Sequence, residues 1–258
     1  MKGVYSKRAI CSVVEPLKAI SNVFNNTSVH VVYEMEDDTI HISTMNEKKS
    51  VYAMYELDAK NAIDSYEPAT KEIGIWDVKQ FVNILGKYDN DIYSEEVKVE
   101  CEDKKLVISC GDETTDYYLS QLHLFESSRS KNRRLKTDSL TEAAVFEMSG
   151  VDLKRLLTNI NVFDDQNELT LSGKKGEGVV VRLSSSQGTV YNKNEMKFPD
   201  IEVKEDFVQK FPKSDFKGLL VCNGSFKFSV FTGKKEVVNA YYEKDDYKLN
   251  FYFAPLAD

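Results

Sequence analysis

The sequence has no run of about 18 apolar residues, so it contains no segment long enough to cross a membrane as a helix. Its first residues lack the apolar centre and small-residue cleavage site of a signal peptide, and we expect an intracellular protein. No two of its four cysteines have the CxxC spacing of a zinc or redox site, which favours four reduced thiols. With 258 residues, 41% of them apolar, the chain can form one or two well-packed domains.

Sequence motifs for catalysis are also missing. Only three histidines occur, and two of them, His30 and His41, lie in predicted strands. No HExxH, GxSxG or Walker GxxxxGKS/T sequence is present, and the lysine-rich segments 173–176 and 233–235 are typical of hairpin turns. The carboxylates show no spacing that pairs two of them for acid–base chemistry. We therefore expect no enzymatic activity, no cofactor and no metal site.

Short strands dominate what the sequence does contain. Alternating apolar and polar residues, separated by acidic or glycine-containing turns, are typical of antiparallel strands. The predicted strands lie near residues 29–35, 39–45, 51–57, 96–101, 105–110, 114–122, 167–172, 178–184, 218–222, 225–231, 236–242 and 248–254.

Two helices have clear start signals. Asp77 is placed to cap a helix whose apolar residues follow at helical spacing through Leu85. Ser149 is placed to cap another, and Asp152 stands three residues later, where a capping box needs an acceptor.

Two further helices are predicted with less regular signals. Apolar residues from Val13 to Phe24 indicate one near the N-terminus, in which Pro16 requires either a start at Glu15 or a kink. A short fourth helix is predicted around Glu205 to Phe211, ending at Pro212.

A polar segment divides the chain into two halves of similar size. Residues 126–142 have no periodicity and contain five basic residues. Residues 97–110 match residues 218–231, each as a hairpin leading into a pair of tyrosines. We predict domains at 1–125 and 143–258, joined by the linker 126–142. The basic linker is either a solvated loop or a site of attraction for acidic partner peptides or DNA.

Charge is distributed unevenly along the chain. The 42 acidic and 34 basic residues give a net charge of −8, which by itself argues against nucleic-acid binding. The predicted helical windows nevertheless contain one acidic residue, Asp215, and eight basic ones. These are Lys18, Lys79, Lys87, Lys154, Arg155, Lys210, Lys213 and Lys217. Such side chains are either ordinary solvent-exposed residues or residues that contact DNA phosphates. Phosphate contacts do not distinguish one base sequence from another.

Several segments, taken in order, resemble those of DNA sliding clamps of the proliferating cell nuclear antigen and tailed-phage types. LNFYFAPL at 249–256 resembles the C-terminal ending of the nuclear antigen family. FEMSGVDLKRLL at 146–157 resembles the start of its second domain, and VEPLKAI at 14–20 its first helix. Residues 42–46 resemble the strand before the partner pocket, and residues 75–85 and 216–221 resemble segments of phage clamps.

The resemblance implies an α+β fold of two similar clamp domains, with antiparallel sheets outside and short basic helices inside. Three subunits would form a homotrimeric ring of pseudo-six-fold symmetry. The implied function is that of a DNA polymerase processivity factor that encircles double-stranded DNA without sequence specificity. DNA polymerase and a clamp loader would bind through short peptide motifs. Its place would be the replication site, in the host cytoplasm or nucleoid for a phage and in the nucleus for a eukaryote.

The resemblance also assigns residues to sites. The DNA-facing set is Lys7, Arg8, Lys18, Lys79, Lys87, Lys154, Arg155, Lys210, Lys213 and Lys217. The partner pocket is Met45, Leu135, Leu140, Phe253, Ala254, Pro255 and Leu256, of which the C-terminal ones can equally be core residues of a last strand. The subunit interface lies on edge strands 115–121 and 179–184, through Thr115, Tyr117, Leu119, Val179, Val181 and Leu183.

Two other functions remain open. A clamp-like processivity factor that acts as a monomer would have the same fold without ring closure. A strand-rich structural or virion protein with no DNA role would fit the acidic composition, and the basic helices would then be coincidental.

Overall fold

The structure, a computed structural model, divides the chain into two compact units. The first comprises Met1–Thr44, Ala53–Arg134 and Glu243–Leu249, and the second Met45–Tyr52, Leu135–Tyr242 and Asn250–Asp258. The described residues are 2–5, 7–24, 29–34, 38–46, 48–67, 72–89, 96–125, 140–162, 167–184, 193–220, 222, 224–233 and 235–256. The domain boundaries drawn from the sequence stay a prediction, and residues 126–139 of the linker lie outside the described residues.

Strands alternate with short helices along the whole chain. The first part contains β1 (Lys2–Tyr5), α1 (Lys7–Val23), β2 (Val29–Glu34), β3 (Thr39–Met45), β4 (Val51–Asp58), α2 (Ala59–Ala62), β5 (Asp64–Glu67), β6 (Glu72–Ile75), α3 (Val78–Gly86), β7 (Val97–Glu102), β8 (Lys105–Cys110) and β9 (Glu113–Tyr118). The second contains β10 (Thr141–Met148), α4 (Gly150–Val162), β11 (Glu168–Lys174), β12 (Gly178–Ser184), β13 (Lys193–Phe198), β14 (Phe207–Pro212), a 3₁₀ helix (Lys213–Leu220), β15 (Phe226–Thr232), β16 (Val237–Lys244) and β17 (Tyr247–Phe253). Two shorter 3₁₀ helices, Lys87–Asp89 and Leu122–Phe125, follow α3 and β9.

Within the described residues, one pattern occurs four times: a strand, a helix and three further strands, with α2 and β5 added after the first occurrence. β1, β6, β10 and β14 begin the four repeats, and α1, α3, α4 and the 3₁₀ helix Lys213–Leu220 supply the helices. The first unit has a five-stranded sheet in the order β5-β1-β7-β8-β9 and the strand order β4-β3-β2-β6. The second has a four-stranded sheet, β13-β12-β11-β14, and the strand order β10-β15-β16-β17. The predicted α+β fold with antiparallel sheets and few helices is confirmed.

The two capped helices begin where the sequence predicted. The Asp77 carboxylate accepts the Gln80 N–H at 2.9 Å, which satisfies one of the first backbone donors of α3. In α4 the capping box is complete, because Ser149 Oγ accepts the Asp152 N–H and Asp152 Oδ2 accepts the Ser149 N–H, each at 3.2 Å.

The helix near the N-terminus is longer than predicted, and Pro16 lies inside it. α1 starts at Lys7, not at Glu15. A proline there has no N–H to give to the carbonyl four residues earlier, so Ser12 loses its intrahelical partner. The Tyr55 hydroxyl supplies the missing bond by donating to Ser12 O at 2.7 Å. A buried tyrosine on β4 therefore makes the internal proline tolerable.

The predicted fourth helix was wrong. Residues 207–212 form β14, paired with β11 from Phe207 opposite Gly173 to Pro212 opposite Glu168. Burial alternates along β14, which is the period of a strand. The helix follows Pro212, so the strand predicted at 218–222 and the hairpin match of 97–110 with 218–231 were also wrong.

Candidate nucleic-acid interface and partner site

Exposed basic side chains are present on all four repeat helices, with Lys217 on the 3₁₀ helix. Lys18 of α1, Lys79 of α3, and Lys154 and Arg155 of α4 are exposed, Arg155 with 70% of its side chain accessible. Each helix also has a buried apolar stripe at helical spacing, such as Leu153, Leu156 and Ile160 of α4. Because the stripe holds the helix on the core of its unit, the cations on the other faces are presented to solvent.

The carboxylates of the repeat helices are all held by structural partners. Glu15 accepts from Lys244 Nζ at 3.1 Å and from the Tyr247 hydroxyl at 2.9 Å. Asp152 belongs to the capping box of α4. Asp215 is only 7% exposed and accepts from the Ser50 hydroxyl at 3.0 Å. The solvent-facing charge of α1, α3 and α4 is thus predominantly positive in a chain of net charge −8.

Lys87 differs from Lys18, Lys79 and Lys154 because its side chain is held by partners within its own unit. It lies in the 3₁₀ helix after α3, where it pairs with Glu113 of β9, donates to Thr115 Oγ1 at 3.2 Å and lies over the Tyr88 ring. Partial burial lowers the pKa of Lys87, but hydrogen bonds to Glu113 and Tyr88 outweigh it and raise that pKa above its ordinary value. Its ammonium group therefore ties α3 to β9.

The structure contradicts the assignment of Lys213 to the DNA-facing set. It is 8% exposed, and its Nζ donates to Ile160 O at 3.3 Å. That carbonyl belongs to the last turn of α4, where helix carbonyls lack intrahelical partners and a cation is favoured by the helix dipole. Lys213 thus caps α4 at its C-terminal end, so it cannot reach a phosphate outside.

Three other basic residues of the predicted set have different positions. Lys217 is exposed on the 3₁₀ helix, as its assignment to the DNA-facing set requires. Lys210 is also exposed, but on strand β14 and not on a helix. Lys7 and Arg8 lie in the first turn of α1, and their side chains are outside the described part of the structure. Whether these residues contact DNA stays a prediction.

The residues predicted for the partner pocket all belong to the second unit. Phe253 is fully buried, and its ring stacks on Phe216 with 4.5 Å between centroids, so it is a core residue. Ala254 and Pro255 are half-buried, as are Met45 and Leu140, while Leu256 is 40% exposed. Leu135 lies outside the described residues. The pocket itself stays a prediction.

Backbone hydrogen bonds fix the C-terminal segment. The Ala254 N–H donates to Ser50 O at 2.8 Å, and the Leu256 N–H donates to Lys210 O at 2.7 Å. Ser50 is in turn bonded to Asp215 and Asn46. This role of Ser50 and Asp215 was not predicted from the sequence. An Asn–Ser pair four residues apart between two strands indicates a side-chain-stabilised turn, but nothing local identifies Asp215 as its partner.

One of the two predicted interface strands is an edge. Among the described residues, β9 pairs with β8 alone and ends the five-stranded sheet. Thr115 and Leu119 are half-buried, whereas Tyr117 is buried and its hydroxyl bonds to both the N–H and the carbonyl of Asp77. The exposed aromatic residue of this strand is Tyr118, which is 71% exposed.

The other predicted interface strand is not an edge. β12 is paired on both sides, with β11 and with β13, and Val179, Val181 and Leu183 are buried within the unit. The prediction of an open edge at 179–184 was therefore wrong. Among the described residues, the two edge strands of this sheet are β14 and β13. The strand β13 alternates weakly in hydropathy and was not recognised from the sequence. A groove of about 580 Å³ lies beside it, lined by α4 and β13.

The described residues contain no group of three or more histidine, cysteine or carboxylate side chains that could hold a metal ion. Among the same residues, no helix has the length and apolar content to cross a membrane. No disulfide joins the four cysteines, all of which the structure describes.

The arrangement of strands and helices is that of the DNA sliding clamps. No protein-family model matches the sequence, and no curated protein sequence matches it. Solved structures, in contrast, match over the entire chain. The resemblance stated from the sequence is confirmed for the fold.

Three clamp structures illustrate the match. A proliferating cell nuclear antigen (PCNA) from A. fulgidus, with the C-terminal region of FEN-1 bound, has a TM-score of 0.71 and 13% identity, over 100% of this chain and 98% of that one. PCNA from Entamoeba histolytica has a TM-score of 0.71 and 15% identity, over 99% and 98%. A PCNA2–PCNA3 complex from Sulfolobus tokodaii has a TM-score of 0.69 and 11% identity, over 100% of both chains.

Proposed function

We propose that this chain is a subunit of a DNA sliding clamp, a polymerase processivity factor that encircles duplex DNA without sequence specificity. The observation that carries the proposal is the exposed basic side chains of α1, α3 and α4, in an acidic chain whose helix carboxylates all have structural partners. Lysine and arginine neutralise phosphates, and phosphate contacts contain no sequence information. A ring lined in this way holds DNA and still slides along it.

Ring closure is proposed to join the β9 edge of one subunit to the β13 edge of the next. Among the described residues, neither β9 nor β13 has a second neighbouring strand, and pairing the two strands between subunits removes two exposed edges at once. The contact is heterologous, so it closes only at a fixed number of copies. With two units in each chain, three copies give the six-domain ring that the clamp fold implies.

The ring contributes to replication by raising the effective concentration of the polymerase at its template, and not by catalysis. A polymerase tethered to the ring rebinds its template before it diffuses away. We propose that the polymerase and a clamp loader dock through short peptides on the second unit, near Leu256. The matched A. fulgidus PCNA, which has the C-terminal region of FEN-1 bound, supports this mode of docking.

The assembly is tested by light scattering after size exclusion, at several protein concentrations. We expect a species of three 29.5 kDa chains. Tyr118→Asp, at the exposed position of β9, should convert this species to monomer, whereas Tyr118→Phe should preserve it. A strict monomer that binds DNA would favour the monomeric processivity factor. A monomer without DNA affinity would favour a structural protein and overturn the proposal.

A further inference from the structure

We propose that α3 of one subunit and α4 of the next lie antiparallel across the subunit boundary, with Trp76 packed against Val162. The inference rests on the proposed clamp function, in which the β9 edge of one chain meets the β13 edge of the next. It specifies which side chains of a second copy of this chain complete the boundary. It comes from where the exposed apolar residues lie.

Exposed large apolar side chains are concentrated beside these two edges. Among the described residues, seven such side chains are exposed. Four of them belong to β9, to the start of α3 or to α4: Tyr118, Trp76, Val151 and Val162, of which Trp76 is 61% and Val162 69% exposed. A single exposed apolar residue needs no explanation, but tryptophan and tyrosine are enriched among the anchors of protein interfaces. We therefore expect a second protein surface to cover this part of the molecule.

Trp76 is fixed next to the end of β9. The Tyr117 hydroxyl accepts the Asp77 N–H and donates to the Asp77 carbonyl, each at 3.0 Å. At the other end of α3, Lys87 Nζ donates to Thr115 Oγ1 at 3.2 Å. α3 therefore runs along β9, beginning beside Tyr117 and ending beside Thr115. Trp76 immediately precedes the cap residue Asp77, so its backbone lies where β9 ends.

α4 has the same relation to β13. Asn159 Nδ2 donates to Asn194 Oδ1 at 2.8 Å, near the start of β13. The ring of Phe146, which lies on β10 shortly before α4, is 5.7 Å from the ring of Phe198 at the end of β13. α4 therefore begins near the end of β13 and ends near its start. Val162, the last residue of α4, follows Asn159 by three residues and so lies on the same face.

The equivalence of the two edges determines how they can join. β9 and β13 are each the last strand of a repeat, and the order β1-β7-β8-β9 matches the order β14-β11-β12-β13. Two equivalent edges that join in parallel place their helices on opposite faces of the joined sheet. A ring with all its helices inside therefore requires the antiparallel arrangement. The start of α3 then lies opposite the end of α4, which brings Trp76 to Val162.

The α4 side of the boundary has space for the side chains of α3. A groove of about 580 Å³ runs between α4 and β13, and its lining includes the apolar residues Val151, Met196 and Phe198. Arg155 and Thr158 line it as well, and with Val151 and Val162 they form one face of α4 at helical spacing. Val162 therefore continues the α4 wall of the groove.

The first test measures the solvent accessibility of Trp76, which is the only tryptophan of the chain. Iodide quenching of its fluorescence is compared in the full-length assembled protein, in the Tyr118→Asp variant and in free N-acetyltryptophanamide, the fully exposed limit. We expect the quenching constant of the assembled protein to be at least about threefold below both references, because an interface anchor is shielded from solvent. Light scattering on the same samples gives the mass.

The second test identifies the residue that Trp76 contacts. Sedimentation over a dilution series, with salt added until wild type partly dissociates, gives the midpoint concentration of assembly. Trp76→Ala should raise that midpoint by about tenfold or more, and Val162→Ala by less. The double variant should be weakened by less than the product of the two single effects, because residues in contact are coupled. Val151→Ala is the matched control at the other end of α4, and its effect should multiply with that of Trp76→Ala.

Each result separates this inference from the proposed function. A trimer whose Trp76 is quenched as strongly as N-acetyltryptophanamide would overturn the inference and leave the clamp function in place. Coupling of Trp76 to Val151 and not to Val162 would also overturn it, because the two helices would then run parallel. A wild-type protein that is monomeric at every concentration would contradict the proposed ring itself, and this contact with it.

Discussion

α3 and the 3₁₀ helix Lys213–Leu220 occupy the same place in the second and fourth repeats, yet their charged residues act differently. In α3, Asp77 caps its own helix and Lys79 is exposed. In the 3₁₀ helix both Lys213 and Asp215 are buried and bonded to other elements. The same position in a repeat thus supports a solvent-facing basic helix in one unit and, in the other, a helix with one exposed lysine, Lys217, and two buried charged residues that brace the unit.

α3 and the 3₁₀ helix Lys213–Leu220 therefore have different roles in their units. α3 adds exposed charge for the proposed DNA contact. The 3₁₀ helix fixes the end of α4 through Lys213 and the turn after β3 through Asp215. Its Lys213 and Asp215 therefore have a structural role in the second unit. Removing the exposed cations of the repeat helices tests their role in DNA binding. Removing the buried Asp215 or Lys213 tests their role in stability.

Removing the exposed helix cations should have the largest effect. The variant combines Lys18→Ala, Lys79→Ala, Lys154→Ala and Arg155→Ala. We expect affinity for a linear duplex to fall by roughly a hundredfold at low salt, and the slope of log affinity against log salt to fall by about 0.9 for each phosphate that is no longer neutralised. Anisotropy over a salt series measures both. A control with the same charge change combines Lys98→Ala, Lys104→Ala, Lys175→Ala and Lys227→Ala, all exposed outside the repeat helices. An equal fall in affinity for both variants would contradict the role of the helices.

Asp215→Ala should destabilise the protein more than Asp77→Ala. Loss of the buried carboxylate leaves the Ser50 hydroxyl without this acceptor, at a cost of about 2 kcal/mol. Loss of the exposed cap on α3 should cost about 1 kcal/mol. Urea unfolding of the two variants gives the comparison, and the reverse order would show that the network around Ser50 is not a brace.

Lys213→Ala should cost about 1 kcal/mol, because the C-terminal carbonyls of α4 lose a hydrogen-bonded cation. Lys79→Ala, at an exposed position of α3, should change stability by less than about 0.5 kcal/mol. Unfolding free energies in urea again measure both. Equal effects of the two substitutions would mean that the buried ammonium contributes no more than a surface one.

Asp215→Asn should change how stability depends on pH. Burial raises the folded-state pKa of Asp215 above its ordinary value of 3.8, so the folded protein binds more protons than the unfolded chain in the window between them. The contribution of this group to stability therefore falls as pH rises through that window and is constant above it. The difference between wild type and Asp215→Asn, from thermal melts at acidic pH, should show this fall. If the stability of wild type relative to Asp215→Asn instead rose with pH, the raised pKa of Asp215 would be contradicted.

Local signals made part of the fold predictable from sequence. The caps at Asp77 and Ser149 involve residues within three positions, and the period-2 strands bury their own apolar face. β14 was mistaken for a helix because its central inward residue is polar. Gln209 is 1% exposed, and its Nε2 donates to Phe231 O at 2.9 Å, a hydrogen bond between distant residues that no local sequence pattern reveals.

Site residues were harder to predict for the same reason. A lysine at the start of a helix is typically a surface residue, and only the neighbouring end of α4 turns Lys213 inward. β12 was taken for the sheet edge because β13, the next strand along the chain and its partner, has too weak an alternation in hydropathy to be recognised. The exposed set Lys18, Lys79, Lys154 and Arg155 was predictable because an amphipathic helix fixes which face its cations occupy.

Retention on end-blocked DNA tests encirclement most directly. Linear duplex is fixed to a bead at one end, the protein is allowed to thread over the free end, and a bulky protein is then attached there. We predict that the protein stays bound through a high-salt wash only on blocked DNA and is released when a restriction enzyme cuts the duplex. Equal release from blocked and unblocked DNA, or retention that survives cutting, would contradict a ring around the duplex.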